Sequence, residues 1–147
     1  MVWLYLLFAF AGGAALPFQA GINAQLAAWL GSPVRAAFVS FFVGTILLLG
    51  AAALVFKPLP SWGRLGDAPW WVWVGGALGA FYVAASIVTA PKLGAATLVA
   101  LVVAGQALTS LLVDHFGLVG FEAKHITLGR VVGMALVGAG VACVRVF

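Results

Sequence analysis

Charge is scarce in this sequence: of 147 residues, seven are Lys or Arg and three are Asp or Glu, 7% charged against 65% hydrophobic. Soluble domains carry about 25% charged residues to wet their surfaces, so a water-soluble domain is excluded. The mean hydropathy of +1.22 makes lipid the expected solvent. The few cations are scattered singly, which excludes the basic patch that nucleic acid requires and leaves them as topology signals and helix-end anchors. Cysteine is nearly absent as well. Cys143 alone cannot form an intrachain disulfide, which excludes a disulfide-stapled secreted fold.

The acids are Asp67, Asp114 and Glu122, and none lies near the centre of an apolar run. A proton/cation antiporter built on a mid-membrane carboxylate is therefore disfavoured. His115 and His125 lack further ligands at metal-binding spacing, so no metal or other cofactor is expected. Nucleophile elbows, P-loops and dinucleotide fingerprints are missing, and an enzyme is not expected.

What is present is apolar length. A span needs roughly 20 apolar residues, and the chain divides into five spans, approximately 2–30, 34–56, 70–90, 93–116 and 127–147, forming a single all-α integral membrane domain. The first run lacks a preceding basic residue and is longer than a signal-peptide core, so it reads as an uncleaved helix, with a kink or break expected near Pro17. Gly31-Ser32-Pro33 predicts a tight turn with Ser32 as N-cap and Pro33 in the first helical position. Lys57 to Pro69, rich in Pro and Gly, predicts a loop. Trp70-Trp71-Val72-Trp73 predicts an aromatic belt opening the third span, and Pro91-Lys92 its stop.

Five spans place Lys57, Arg64, Lys124 and Arg130 on one face, and Arg35, Lys92 and Arg145 on the other. Such an even division gives the positive-inside rule little to act on. Either one strong helix sets the orientation, or copies insert both ways up and pair as an antiparallel homodimer, acquiring by assembly the inverted symmetry that longer transporters encode by duplication. Small residues at four-residue spacing mark helix-packing faces: Ala36, Ser40 and Gly44 on the second span, Gly75 and Gly79 on the third, and Gly129 and Gly133 on the fifth.

Polar groups at membrane depth must find partners or face a wet cavity. Gln19 and Asn23 share a face just beyond Pro17, with Gln25 to one side. They either satisfy the carbonyl that the proline frees or form a neutral hydrogen-bonding site, with Pro17 as its hinge. Gln106, Ser110 and Asp114 form a stripe on the fourth span, whose Asp114 can pair with Arg130 at the start of the fifth. That pair is either a structural closure of the hairpin or a gate. Tyr82, Ser86 and Thr89 follow the Gly75-Gly79 face, available for packing or for lining a cavity.

In order along the chain, Gly21-Ile22-Asn23-Ala24-Gln25-Leu26, Ser40-Phe41-Phe42-Val43-Gly44-Thr45, Trp70-Trp71, Gly75-Gly76-Ala77-Leu78-Gly79-Ala80, Ala90-Pro91-Lys92-Leu93-Gly94-Ala95-Ala96, Gly105-Gln106, Asp114-His115-Phe116-Gly117 and Arg130-Val131-Val132-Gly133 resemble the YdcZ-type, half-length branch of the drug/metabolite transporter superfamily. The resemblance implies a five-helix inner-membrane exporter, whose family includes antiparallel homodimers, oppositely oriented pairs and fused ten-helix chains. It names no substrate. Where the related four-helix multidrug transporters have a first-helix glutamate, this chain has Gln19, Asn23 and Gln25, which argues against proton-coupled drug export. The expectation is a transporter of a small molecule, embedded in the lipid bilayer, that works by alternating access as a homodimer. Gln19, Asn23, Gln106, Ser110, Tyr82 and Ser86 are its candidate substrate groups. A passive pore and a sealed, non-transporting scaffold are the competing readings.

Overall fold

A computed structural model describes residues 2–55 and 68–146. It is helical, with α1 (Val2–Leu30), α2 (Pro33–Val55), a 3-10 turn (Trp70–Trp73), α3 (Val74–Leu93), α4 (Ala95–Phe116), a second 3-10 turn (Leu118–Gly120) and α5 (Leu128–Val146). Five of these segments are long and apolar enough to cross a membrane. Large side chains point outward along most of them: Trp3, Phe8, Trp29, Leu54 and Leu128 are at least four-fifths exposed. Helices that present apolar side chains this freely are stable only where the surrounding medium is hydrocarbon. The loop expected over 57–69, with Lys57, Arg64 and Asp67, lies outside the described residues except at Ala68 and Pro69.

The chain forms two compact units, one of Met1–Pro17 with Leu93–Phe147, the other of Phe18–Lys92. In the second unit, Ala36 and Ala37 at the start of α2 are buried against Val83 and Ile87 of α3, with Leu26, Ala27 and Leu30 of α1 packed alongside. The turn between α1 and α2 sets this up. Gly31 takes φ +66, which suits a residue without Cβ, and the Ser32 N–H donates back to the Ala27 carbonyl at 3.2 Å, a Schellman closure. Ser32 Oγ then accepts from the Arg35 N–H at 3.4 Å, the N-cap role expected of it.

Two boundaries differ from expectation. The first helix runs unbroken through Pro17, so the alternative of a break does not occur; the proline removes one N–H, and the rest of the ladder holds the helix. The third helix does not stop at Pro91-Lys92 but continues to Leu93. Its end is set by Gly94, whose φ of 77 and ψ of 161 are open only to glycine.

In the first unit, α4 and α5 pack as a hairpin. Gly117 ends α4 in the left-handed conformation, and a Cβ there would lie 3.3 Å from Ala123 Cβ, so both its φ of +61 and the close approach require glycine. The connection folds back over the helix end, where the Lys124 N–H donates to the Asp114 carbonyl at 2.7 Å. Thr127 caps α5, its Oγ1 accepting from the Arg130 N–H at 3.4 Å.

Candidate functional site

The polar residues singled out by the sequence divide between the two units. In the unit of Phe18–Lys92, Asn23 is 5% exposed, and its Nδ2 has no hydrogen-bond partner among the described residues. A buried amide without partners costs about 1–3 kcal/mol, so this group is either held at a loss or faces something polar that binds there. Gln19, one turn earlier, is exposed and lines a groove of about 220 Å³ with Ser40, Phe41, Gly44 and Thr45. At 1.5 Å per residue it lies about 16 Å from the end of α1, close to half the hydrocarbon thickness. Among the described residues neither amide bonds to the carbonyl that Pro17 frees; no side-chain hydrogen bond from Gln19, Asn23 or Gln25 is formed.

The hydroxyls behave differently. Ser86 is buried and donates to the Val83 carbonyl at 2.8 Å; Thr89 donates to Ala85 at 2.8 Å and Thr45 to Phe41 at 2.8 Å. Each proton is spent on the hydroxyl's own helix, which leaves only oxygen lone pairs for a ligand. Tyr82 is half-buried and packs against the Val83-Ile87 core. Within this unit the amides of Gln19 and Asn23 and the hydroxyls of Ser40 and Tyr82 make no side-chain hydrogen bond among the described residues, and so retain both donor and acceptor capacity.

In the other unit, Ser110 likewise donates to Ala107 at 2.9 Å, and Gln106 is exposed. Arg130 Nη1 donates to Asp114 Oδ2 at 3.2 Å, joining the ends of α4 and α5. Both side chains are about one-third exposed, at 35% and 32%, so the pair contributes at most about 1 kcal/mol. Ser110, Asp114 and Arg130 line a groove of about 380 Å³ whose remaining wall is apolar.

Of the small residues expected at packing faces, Ala36 is buried against α3, and a Cβ on Gly79 would stand 3.7 Å from Phe41. Among the described residues nothing lies within 4 Å of where a Cβ on Gly44, Gly75, Gly129 or Gly133 would stand. The structure adds groupings that spacing did not reveal. Thr45 joins Gln19 at its groove, and the His115 ring meets His125 edge to face at 5.8 Å between centroids, with His115 Nδ1 buried and without a partner among the described residues. The left-handed turn at Gly117 lies between the two histidines, and the glycine after Asp114-His115-Phe116 is a sequence signal for it.

Comparison with known proteins decides the family. The model for the family described as "Putative inner membrane exporter, YdcZ" matches residues 4–143. The chain belongs to the YdcZ family. It is 31% identical to the inner membrane protein YdcZ of Escherichia coli (strain K12) over 139 residues, covering 93% of this chain and 91% of that protein. No solved structure matches the chain. As a YdcZ family member with five membrane-crossing helices it is a multi-pass inner membrane protein, and its family is one of membrane exporters rather than enzymes.

Proposed function

We propose that this YdcZ-family chain exports a small, polar, uncharged or zwitterionic solute by alternating access, as an antiparallel homodimer of copies inserted in both orientations. The observation that carries the solute reading is Asn23: an amide 5% exposed on a membrane-crossing helix, its Nδ2 without a partner among the described residues, is a group waiting for a hydrogen-bonding guest. A sealed scaffold would have used that amide on its own backbone. Gln19 supplies a second free amide near the bilayer centre, and Gln106 a third on α4. Ser86 and Ser110 offer lone pairs, Tyr82 an aromatic wall, Pro17 the hinge, and Asp114-Arg130 the helix-end pair. The dual orientation is supported by the even split of cations, four against three.

Cysteine accessibility tests both parts. In a Cys143→Ser background, Asn23→Cys should react with a small water-soluble thiosulfonate, since a polar pathway must be wet; complete protection favours the scaffold. Glu122→Cys, on the exposed connection, should be labelled from both sides of the membrane across the population. Labelling from one side alone overturns dual insertion. In liposomes, saturable counterflow of a polar solute identifies a carrier, and linear conductance without exchange a pore.

A further inference from the structure

The geometry points to the α4–α5 groove as a binding site for one phospholipid with a primary-ammonium zwitterionic headgroup, its ammonium on Asp114, its phosphate on Arg130 and an acyl chain between the helices. The charges come first. Asp114 lies in the last turn of α4, and Arg130 in the first turn of α5. Helix dipoles place partial negative charge at a C-terminus and partial positive charge at an N-terminus, so each side chain occupies the end that its own helix disfavours. A pair selected only to close the hairpin would be the other way round. As arranged, Asp114 adds to the negative end of α4 and Arg130 to the positive end of α5, giving two adjacent poles of opposite sign.

Both poles have capacity left. Among the described residues Arg130 spends one guanidinium nitrogen on Asp114 Oδ2, and Asp114 Oδ1 accepts nothing. The complement of this field is a molecule carrying an ammonium with N–H donors beside a phosphate. A choline headgroup has no N–H to give Asp114, and a purely anionic headgroup meets the carboxylate's repulsion.

The groove's reach fits a lipid. The pair's backbone sits about 3 Å inside the helix ends, within about 2 Å of the headgroup boundary for an α4 about 33 Å long in roughly 30 Å of hydrocarbon. From there Leu111 and Ala107 on α4, and Gly133, Met134 and Val137 on α5, continue the wall. Ala107 and Val137 are about 14 Å in from the helix ends, close to the bilayer centre. A volume of about 380 Å³ running from headgroup to midplane has the length of one leaflet. A second copy of the chain fits less well, because it has only Asp67, Asp114 and Glu122 to offer Arg130, and its Asp114 is engaged by its own Arg130. The inference does not depend on the exporter reading.

The test is native mass spectrometry of the full chain in mild detergent, titrated with phosphatidylethanolamine, phosphatidylcholine and phosphatidylglycerol of identical acyl chains. Phosphatidylethanolamine adducts should exceed the other two by roughly tenfold or more, the worth of one hydrogen bond to a charged group. Asp114→Asn should erase that preference and raise phosphatidylglycerol adducts, because Arg130 is left alone. Gly133→Leu leaves both charges in place and has open space at its Cβ, so its side chain should plug the groove and lower all three adducts. Arg145→Gln, at the far end of α5, should change nothing. Equal retention of the three lipids overturns the proposal, as does a Gly133→Leu variant that loses dimers but keeps its lipid. Competition by soluble phosphoethanolamine as effective as by the lipid would make the groove a solute site and also overturn it.

Discussion

Phe41 Cζ of α2 lies 3.7 Å from where a Cβ on Gly79 of α3 would stand, which is ordinary van der Waals contact. The glycine is thus open to a methyl group but not to a long side chain. Gly79→Ala should raise thermal stability in detergent by about 1 kcal/mol, from helix propensity and the added contact. Gly79→Leu should lower it by about 1–3 kcal/mol by displacing Phe41. If Gly79→Ala also leaves the dimer fraction unchanged on size-exclusion chromatography, this glycine serves the subunit's own packing.

The connection after α4 stores strain at a second point. Val119 is β-branched, exposed and at φ 49, ψ 33, a conformation that costs such a residue about 1–2 kcal/mol. Val119→Gly should therefore raise the melting temperature, while Gly117→Ala should lower it because of both its φ of +61 and the 3.3 Å approach to Ala123. A circular-dichroism melt of the two variants should show shifts of opposite sign.

At Asn23, binding and stability oppose each other. Asn23→Leu removes a buried amide whose Nδ2 has no partner among the described residues, and should stabilise the apo protein by about 1–3 kcal/mol in a detergent melt. The same change should abolish counterflow in liposomes. A loss of stability would mean that the amide is already satisfied.

Orientation should respond to single charges. Leu118 and Phe121 are exposed in the α4–α5 connection beside Lys124. Replacing both with Lys gives that face a clear cationic excess, and every copy should then insert with the connection in the cytoplasm. Single-cysteine labelling at Glu122→Cys would read this as a change from two-sided to one-sided reaction, accompanied by loss of the antiparallel pair proposed above.

The five spans and the Ser32 cap were legible because they follow from local rules: apolar length, proline and glycine at turns, a hydroxyl before a helix. The third helix's end was misplaced by three residues, since a proline in the last turn forfeits one hydrogen bond and Gly94 supplies the real stop. Asp114 and Arg130 were paired by topology alone, as neighbouring ends of one hairpin. The amides were found as polar exceptions in apolar runs, yet which of them is buried was not readable, because polarity along a helix says nothing about which face a neighbour covers.

Sequence by itself determined that this chain lives in lipid, how many times its helices can cross and which few polar groups they carry, since these depend on composition and spacing along one dimension. Tertiary structure decided which groups are spent and which remain available. Ser86, Ser110 and Thr45 turn their protons back onto their own helices, Asn23 Nδ2 has no partner among the described residues, and Asp114 meets Arg130 with each charge at the pole its helix disfavours. Hydrogen-bond partnership and burial are properties of neighbours in space, and those are fixed only when the helices pack.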